Sequence, residues 1–358
     1  MSGSKKNLMH ASDMDILNQN ELLQATLLEE NEAWIAAKCK RVLEENSQWQ
    51  RDYSSKKAYE KSTEPYREEW RDTIGEINCE DEFHLETEAF FENDYAVAEW
   101  LTINVQPGLK ARAVLALPKN KSGQLPLVVA LHGMLGSPSV VFGFKDSQEE
   151  AYHGYGKELL KKGFAVLAPI SINGSTPRIR VHRLSMLVGS SITGVEVGKI
   201  RRLIDLVLGM PEIDEERIGM WGISLGGLYT MCIAALDQRI KAAIMCAFFM
   251  DRLGKITVES SHYSSWFLPH EEHLLIPGWF NGGFTDANLL SMVCPRALQI
   301  TEGKKDPTNW WPLQVKEFQK LYQHYDKLGV NQKIEFINHE GNHEVIIEPG
   351  LRFLDKWL

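Results

Sequence analysis

The stretch Gly222-Ile223-Ser224-Leu225-Gly226 constrains this chain more than any other. Residues 217–221 before it predict a short buried strand, and residues 228–236 after it predict a helix. A G-x-S-x-G sequence between a strand and a helix predicts a sharp turn, because its glycines relieve crowding. Such a turn pushes the Ser224 hydroxyl into the open, beside the positive end of the new helix. The motif therefore predicts an accessible nucleophilic serine.

The rest of the chain predicts an α/β fold with a mostly parallel central sheet. An alternating pattern begins near residue 82 and predicts antiparallel strands at 83–91, 96–105 and 111–117. The apolar run 125–131 is typical of a strand buried on both faces, and strand and helix patterns then alternate, which indicates helices on both faces of the sheet. The later strands are predicted at 164–169, 218–221, 242–249, 297–301 and 334–337, and the later helices at 149–162, 195–208, 313–328 and 349–358.

Residues 1–80 are predicted to form a helical extension, and residues 81–358 the catalytic domain. Apolar side chains recur at near-helical spacing from Ile16 to Leu43, and a second helical stretch covers 54–74 with an interruption near Pro65. An apolar helical stripe is usually buried, so we expect the extension to cover apolar surface of the main domain. Contacts between copies in a homo-oligomer, or a roof over the active site, are the alternatives.

Residues 251–293 interrupt the alternation of strands and helices and are rich in aromatic side chains. So long an insertion is usually functional, often as a lid or binding loop. It follows a parallel strand, near the sheet edge where α/β enzymes bind their ligands. Trp266, Trp279 and Phe280 are therefore candidates for substrate binding, by stacking on a sugar or an aromatic acyl group. Simple packing within a lid is the equal alternative.

A serine hydroxyl needs a base, and the base needs a group that orients it. Asp306 follows the predicted strand 297–301, and His343 follows the strand 334–337, which gives the chain order serine, acid, histidine of α/β-hydrolases. We therefore predict Asp306 as the acid and His343 as the base. Asp251 is the rival acid and His339 the rival base, because each also follows a predicted strand.

The oxyanion that forms during acyl transfer needs backbone N–H donors. The residue after the nucleophile, Leu225, supplies one, and the loop after strand 125–131 is expected to supply the second. Within that loop we predict Met134 as the donor, since glycines on both sides give the backbone the necessary freedom. His132 is expected to organise the loop by hydrogen bonding and is also a candidate for substrate contact.

Composition excludes several other classes of function. The net charge of −9, with no basic block, argues against a nucleic-acid partner. Five scattered cysteines suggest neither disulfides nor a zinc site, and the spacing of His270 and His273 is three rather than the four of zinc proteases. No metal or organic cofactor is expected. The polar N-terminus and the lack of a run of transmembrane length predict a cytoplasmic protein without a membrane partner.

Several segments together resemble the dienelactone-hydrolase-like group of α/β-hydrolases, and within it the acetyl xylan esterase-like branch. The segments that carry the resemblance are Leu131-His132-Gly133-Met134, residues 211–219, Trp221 to Gly227, Cys294-Pro295-Arg296-Ala297-Leu298, Gly303 to Asp306 and Gly341-Asn342-His343-Glu344. The resemblance implies a serine nucleophile at Ser224, an acid at Asp306 and a base at His343. Dienelactone hydrolases proper use a cysteine, so Ser224 indicates ordinary esters. The Arg-Gly-Gln motif of cephalosporin C deacetylases is absent from the sequence.

The sequence thus predicts a serine carboxylic ester hydrolase that acts on small, acetyl-type esters through a Ser-His-Asp triad and an acyl-enzyme. Its partner is a small-molecule ester. An amidase or peptidase of the prolyl-oligopeptidase type, and a non-catalytic binding protein on a hydrolase scaffold, are the alternatives. Assays on matched ester and anilide substrates distinguish an esterase from an amidase or peptidase. Labelling of Ser224 by a serine-directed fluorophosphonate distinguishes an enzyme from a non-catalytic binding protein.

Overall fold

The computed structural model describes residues 13–80, 82, 84–119, 123–144, 149–257 and 269–358, and these form a nine-stranded sheet flanked by helices. The order of the strands across the sheet is β1-β2-β3-β5-β4-β6-β7-β8-β9. The strands are β1 (Glu86–Glu92), β2 (Ala96–Gln106), β3 (Leu109–Pro118), β4 (Leu125–Leu131), β5 (Ala165–Pro169), β6 (Ile213–Ile223), β7 (Ile240–Cys246), β8 (Ala297–Gly303) and β9 (Ile334–His339).

The sheet is mixed, as the sequence predicts. Strands β1, β2 and β3 pair antiparallel, and β3 also pairs antiparallel with β5. The remaining neighbours, from β5 through β4, β6, β7 and β8 to β9, all pair in parallel. The carboxyl ends of these parallel strands consequently meet at one edge. The register pairs Leu131 with Gly222, so the loop after β4 emerges beside the loop after β6.

Twelve α-helices lie in the described residues, together with 3-10 turns at Pro269–Leu274 and Asn331–Lys333. The α-helices are α1 (Asp13–Asn46), α2 (Lys56–Ile74), α3 (Pro138–Val141), α4 (Glu149–Tyr152), α5 (Tyr155–Lys162), α6 (Ser175–Met186), α7 (Ile192–Leu208), α8 (Leu225–Leu236), α9 (Arg252–Thr257), α10 (Asp286–Ser291), α11 (Trp311–Lys327) and α12 (Ile347–Trp357). None of them is long and apolar enough to cross a membrane. The cytoplasmic location expected from the sequence stays a prediction.

Helices α2 and α6 are among those that differ from the sequence-based expectation. Helix α2 continues through Pro65 without an interruption, because burial of Tyr59, Trp70 and Ile74 on its inner face outweighs the cost of the missing N–H. Helix α6 has no predicted counterpart. Its apolar residues do not form a buried stripe, and the side chains that it buries include the polar Arg178 and His182, so the periodicity of apolar residues gives no signal.

Each face of the sheet carries its own hydrophobic core. Along β4, Leu127 and Val129 belong to one core, whereas Val128 and Ala130 belong to the other. This alternation shows that helices cover both faces, which explains why the strand is a continuous apolar run. Helix α8 lies on the first face, where all twelve of its residues are buried beneath α2, α7 and α10.

The two N-terminal helices pack very differently. Trp70 of α2 is wholly buried and contacts Trp279 and Phe284 of the insertion, with ring centroids 5.2 and 4.9 Å apart. The buried guanidinium of Arg67 donates to the carbonyl of Ala235 at 3.0 Å and to that of Met292 at 2.7 Å. Helix α2 therefore covers apolar surface and the polar ends of helices α8 and α10, as expected.

Helix α1 does not follow that expectation. Its large apolar side chains from Met14 to Ile35 are between 47% and 68% exposed, and only the last turns, near Leu43, are buried. The prediction that the stripe of the first helix is buried was therefore wrong. Helix α1 contacts the rest of the protein in its C-terminal part, near Leu43, and its N-terminal part extends away from it. The described part of the chain therefore offers these side chains no complementary surface.

Candidate active site

Ser224 lies at a strained turn between β6 and α8. Its φ of 57° and ψ of −119° are unusual for a residue with a side chain, and its N–H donates to the carbonyl of Cys246 at 2.9 Å. The glycines on either side allow the backbone to approach closely. A Cβ at Gly222 would overlap the backbone of Gly226, and a Cβ at Gly226 would overlap the backbone of Leu131. The motif therefore has the strand-turn-helix geometry that its sequence predicts.

A cavity of about 120 Å³ opens beside Ser224 at the carboxyl ends of the parallel strands. Four of the residues predicted for the site line it, namely Met134, Ser224, Leu225 and His343. Its apolar wall is formed by Ala247, Phe248, Met250 and Leu274, and its polar wall by Lys255, Glu271, Thr308 and Asn309. The topology thus brings together residues that lie more than 200 positions apart in the sequence.

Asp306 lies directly behind His343, on the side away from the cavity. Its Oδ2 atom is 2.6 Å from Nδ1 of His343, and its Oδ1 atom accepts from the N–H of Thr308 at 2.7 Å and from the Thr308 hydroxyl at 2.6 Å. Burial would raise the pKa of Asp306, but the bonds from His343 and Thr308 outweigh it and hold the pKa below its usual value. Asp306 is therefore a carboxylate that fixes the imidazole ring.

The loop that carries His343 is fixed by the residue after it. The Glu344 carboxylate accepts from the N–H of Asn342 at 2.9 Å and lies 2.9 Å from Nε2 of His153. The carbonyl of Glu344 accepts from the thiol of Cys246 at 3.1 Å, which ties the loop to the end of β7. These contacts leave the imidazole of His343 little freedom other than rotation about its own side-chain bonds.

The two residues predicted to supply the oxyanion donors, Leu225 and Met134, line the same cavity as Ser224. Leu225 is the first residue of α8, where backbone N–H groups have no partner within the helix. Met134 is held in place because its carbonyl accepts from the N–H of Gly174 at 3.3 Å. Gly133, which precedes Met134 in the loop, donates its N–H to the Tyr152 hydroxyl at 2.6 Å. A Cβ at Gly133 would lie 3.1 Å from the Cβ of Ser224, so this loop packs tightly against the turn.

His132 organises the loop and does not line the cavity. It is buried, its Nδ1 atom lies 2.7 Å from the carbonyl of Gly133, and its Nε2 atom accepts from the N–H of Ser171 at 3.1 Å. Nδ1 therefore carries the proton, and both ring nitrogens are engaged with the backbone. Burial lowers the pKa of this imidazole, so the neutral form is favoured. As a substrate-binding candidate, His132 was a wrong choice.

The structure places the rival acid and base elsewhere. Asp251 accepts from the N–H of Gly254 at 3.2 Å and so begins the short helix α9. Nδ1 of His339 accepts from the N–H of Gly341 at 3.1 Å, within the turn that follows β9. Each therefore stabilises a local turn, whereas Asp306 and His343 contact one another.

The aromatic candidates from the insertion do not line this cavity. Trp279 is almost buried between Trp70 and the guanidinium of Arg252, whose central carbon lies 3.8 Å from the indole centroid. Phe280 lines a separate groove near α1. Trp279 is thus held by packing against α2 and Arg252, and a substrate contact of either residue stays a prediction. Trp266 lies outside the described residues. His273, expected at a surface or in a lid, is buried.

Three residues near the site were missed in the sequence. Glu302, wholly buried at the end of β8, accepts from the N–H groups of Phe248 and Phe249 at 3.0 and 2.7 Å and so shapes the apolar wall. Burial raises the pKa of Glu302 well above its usual value. Thr308 follows Asp306 by two positions, which is the spacing of an aspartate turn and the one signal that was available. Lys255 has no sequence signal, since it lies in the irregular insertion.

The sheet order, the strained serine turn and the Asp-His pair define this chain as an α/β-hydrolase. Residues 198–264 match the family model described as acetyl xylan esterase. The Bacillus subtilis (strain 168) protein YtaP, assigned as a hydrolase, is 21% identical over 300 residues, which are 80% of this chain and 96% of that protein. Both comparisons are with hydrolases, and the family model that matches is one of esterases.

Solved structures agree with this fold. A Bacteroides fragilis protein assigned as an acetyl xylan esterase superposes with a TM-score of 0.69 at 15% identity, over 86% of this chain and 81% of its own. Acetyl xylan esterase 1 from Thermoanaerobacterium sp. JW/SL YS485 superposes with a TM-score of 0.53 at 17% identity, over 89% of this chain and 98% of its own. At such low identity these similarities establish the fold alone.

Thr308→Val tests the link between Asp306 and its hydroxyl donor. A carboxyl whose pKa is lower in the folded state stabilises the fold above its unfolded pKa of about 4, and that contribution is lost as the pH falls through the folded value. Thr308→Val removes one of the bonds that lower the pKa of Asp306. We expect the free energy of unfolding in urea to fall by about 1–2 kcal/mol at pH 7 and by much less at pH 3.

Thr308→Ser is the matched control for this measurement, since it keeps the hydroxyl and should remain within about 1 kcal/mol of the natural protein at both pH values. A loss for Thr308→Val that is as large at pH 3 as at pH 7 would show that the hydroxyl does not act through the Asp306 carboxylate.

Proposed function

We propose that this protein is a serine esterase that cleaves esters of small acyl groups, with Ser224 as nucleophile, His343 as base and Asp306 as the orienting acid. One observation carries the proposal: the strained Ser224 and the imidazole that Asp306 holds at 2.6 Å line the same small cavity. Chain order and loop positions support it as well, because all three residues follow parallel strands at one sheet edge.

The proton positions follow from the hydrogen bonds. The Asp306 carboxylate can only accept, so Nδ1 of His343 carries the proton and Nε2 presents a lone pair. In the proposed mechanism Nε2 removes the Ser224 proton while Oγ attacks the ester carbonyl, and the N–H groups of Leu225 and Met134 hold the oxyanion. His343 then protonates the departing alcohol. Water, activated by the same nitrogen, releases the acyl group.

The size of the cavity supports a small acyl group. A cavity of about 120 Å³ is small, which favours an acetyl group over a long acyl chain. Phe248 and Leu274 supply apolar contacts for a methyl group. The names of the similar proteins, acetyl xylan esterases, support the same choice of acyl group.

Ser224→Ala is the direct test of the nucleophile. We expect kcat for p-nitrophenyl acetate to fall by about 10⁴-fold or more, because loss of such a serine leaves only binding and oxyanion stabilisation. Ser54→Ala, an exposed serine before α2, is the control and should retain the full rate. A fluorophosphonate should label the natural protein and not the Ser224→Ala variant.

Other outcomes of the same assays would contradict the proposal. Near-normal turnover by Ser224→Ala would remove Ser224 from the mechanism. An acetanilide hydrolysed as fast as the matched acetate ester would indicate an amidase. A natural protein that neither reacts with the fluorophosphonate nor hydrolyses any ester would indicate a non-catalytic binding protein.

Acyl-chain selectivity tests the proposed size of the substrate. We expect kcat/KM to be at least about tenfold higher for p-nitrophenyl acetate than for p-nitrophenyl octanoate, since overfilling a packed site costs about 1–3 kcal/mol. The two esters share one leaving group, so the comparison isolates the acyl chain. Rates that rise with chain length would overturn the assignment of a small acyl group while leaving the nucleophile in place.

A further inference from the structure

Asn309 is buried in the wall of the cavity with its hydrogen-bonding capacity unused. It is 5% exposed, and neither its amide nitrogen nor its amide oxygen has a hydrogen-bond partner among the described residues. Buried side-chain amides in folded proteins are nearly always hydrogen-bonded. Asn309 follows Asp306 by three residues and lines the same cavity as Ser224. Its unpaired amide therefore lies where a bound substrate can reach it.

The groups around Asn309 limit what can bind to it. The Lys255 ammonium, which donates to the carbonyl of Thr308, and the Glu271 carboxylate line the same cavity. The polar wall therefore presents donors and acceptors together. A carboxylate would face the Glu271 charge and would leave the Asn309 oxygen unpaired, and an alkyl group would leave both amide atoms of Asn309 unpaired. A hydroxyl group both donates and accepts, so it matches this wall.

We propose that Asn309 is a specificity-determining residue that hydrogen-bonds a hydroxyl group on the alcohol portion of the substrate. The proposal rests on the esterase function argued above. Because a small acyl group such as acetyl carries no hydroxyl, the alcohol portion must supply it. Asn309 then distinguishes a polyol ester from a simple alkyl ester of the same size.

Glycerol 1-acetate and propyl acetate form a matched pair of substrates, since they differ by two hydroxyl groups on the same three-carbon alcohol. The measured quantity is the ratio of kcat/KM for glycerol 1-acetate to that for propyl acetate. We expect this ratio to fall at least about tenfold in Asn309→Leu, because the site then has no partner for the hydroxyl. Asn331→Leu, at an exposed asparagine before β9, is the control and should leave the ratio unchanged.

A structural role for Asn309 predicts a different result. If the amide only maintained the fold, Asn309→Leu would lower Tm and would reduce both rates equally, which overturns the proposal. Replacing an unpaired buried amide by an apolar group of similar shape should instead leave Tm equal or higher. Asn309→Asp replaces the amide donor by an acceptor and is an independent test. It should also lower the ratio of kcat/KM for glycerol 1-acetate to that for propyl acetate. A natural protein inactive on both acetates would count against the esterase function itself.

Discussion

The close backbone contact between β4, β6 and α8 is the constraint on which the rest of the site depends. Gly222 and Gly226 have no room for a side chain, so β6 can end in contact with α8 and α8 can begin against the end of β4. Only then does Ser224 take its positive φ beside the Met134 loop. The strain is sustained because α8 is buried along its whole length and cannot relax outward.

Buried polar groups complete the site on the other side. Asp306 keeps its charge because His343 and Thr308 satisfy both of its oxygens, whereas Glu302, a few residues earlier, is raised in pKa by burial and by the charge of Asp306. The two neighbouring carboxyl groups are thereby separated in pKa, and their roles differ accordingly. Asp306 orients an imidazole, and Glu302 holds the N–H groups of the apolar wall.

The residues that carry chemistry were more predictable than those that surround them. Ser224, Asp306 and His343 follow strands whose apolar runs are clear in the sequence, and chain order then relates them. Residues whose roles depend on long-range packing gave no such signal. Trp279 looks like a stacking surface, but Trp70 and Arg252 occupy its faces. Helix α6 likewise depends on tertiary contacts that no local periodicity encodes, and the exposed face of α1 reflects the lack of such contacts within the described residues.

The chemistry depends on the loops at one sheet edge, whereas the walls of the cavity depend on Asn309 of the same edge and also on the insertion. The catalytic candidates follow parallel strands, whose positions are fixed by the ladder of hydrogen bonds. Lys255 and Glu271 of the polar wall belong to the insertion, which is tied together by the buried Arg252–Asp286 pair and is anchored to α2 through the contact of Trp279 with Trp70. A change in how α2 packs would consequently affect the insertion directly and the serine turn only through α8. On this division, related chains with the same strands and a different N-terminal helix would keep the reaction and change the ester.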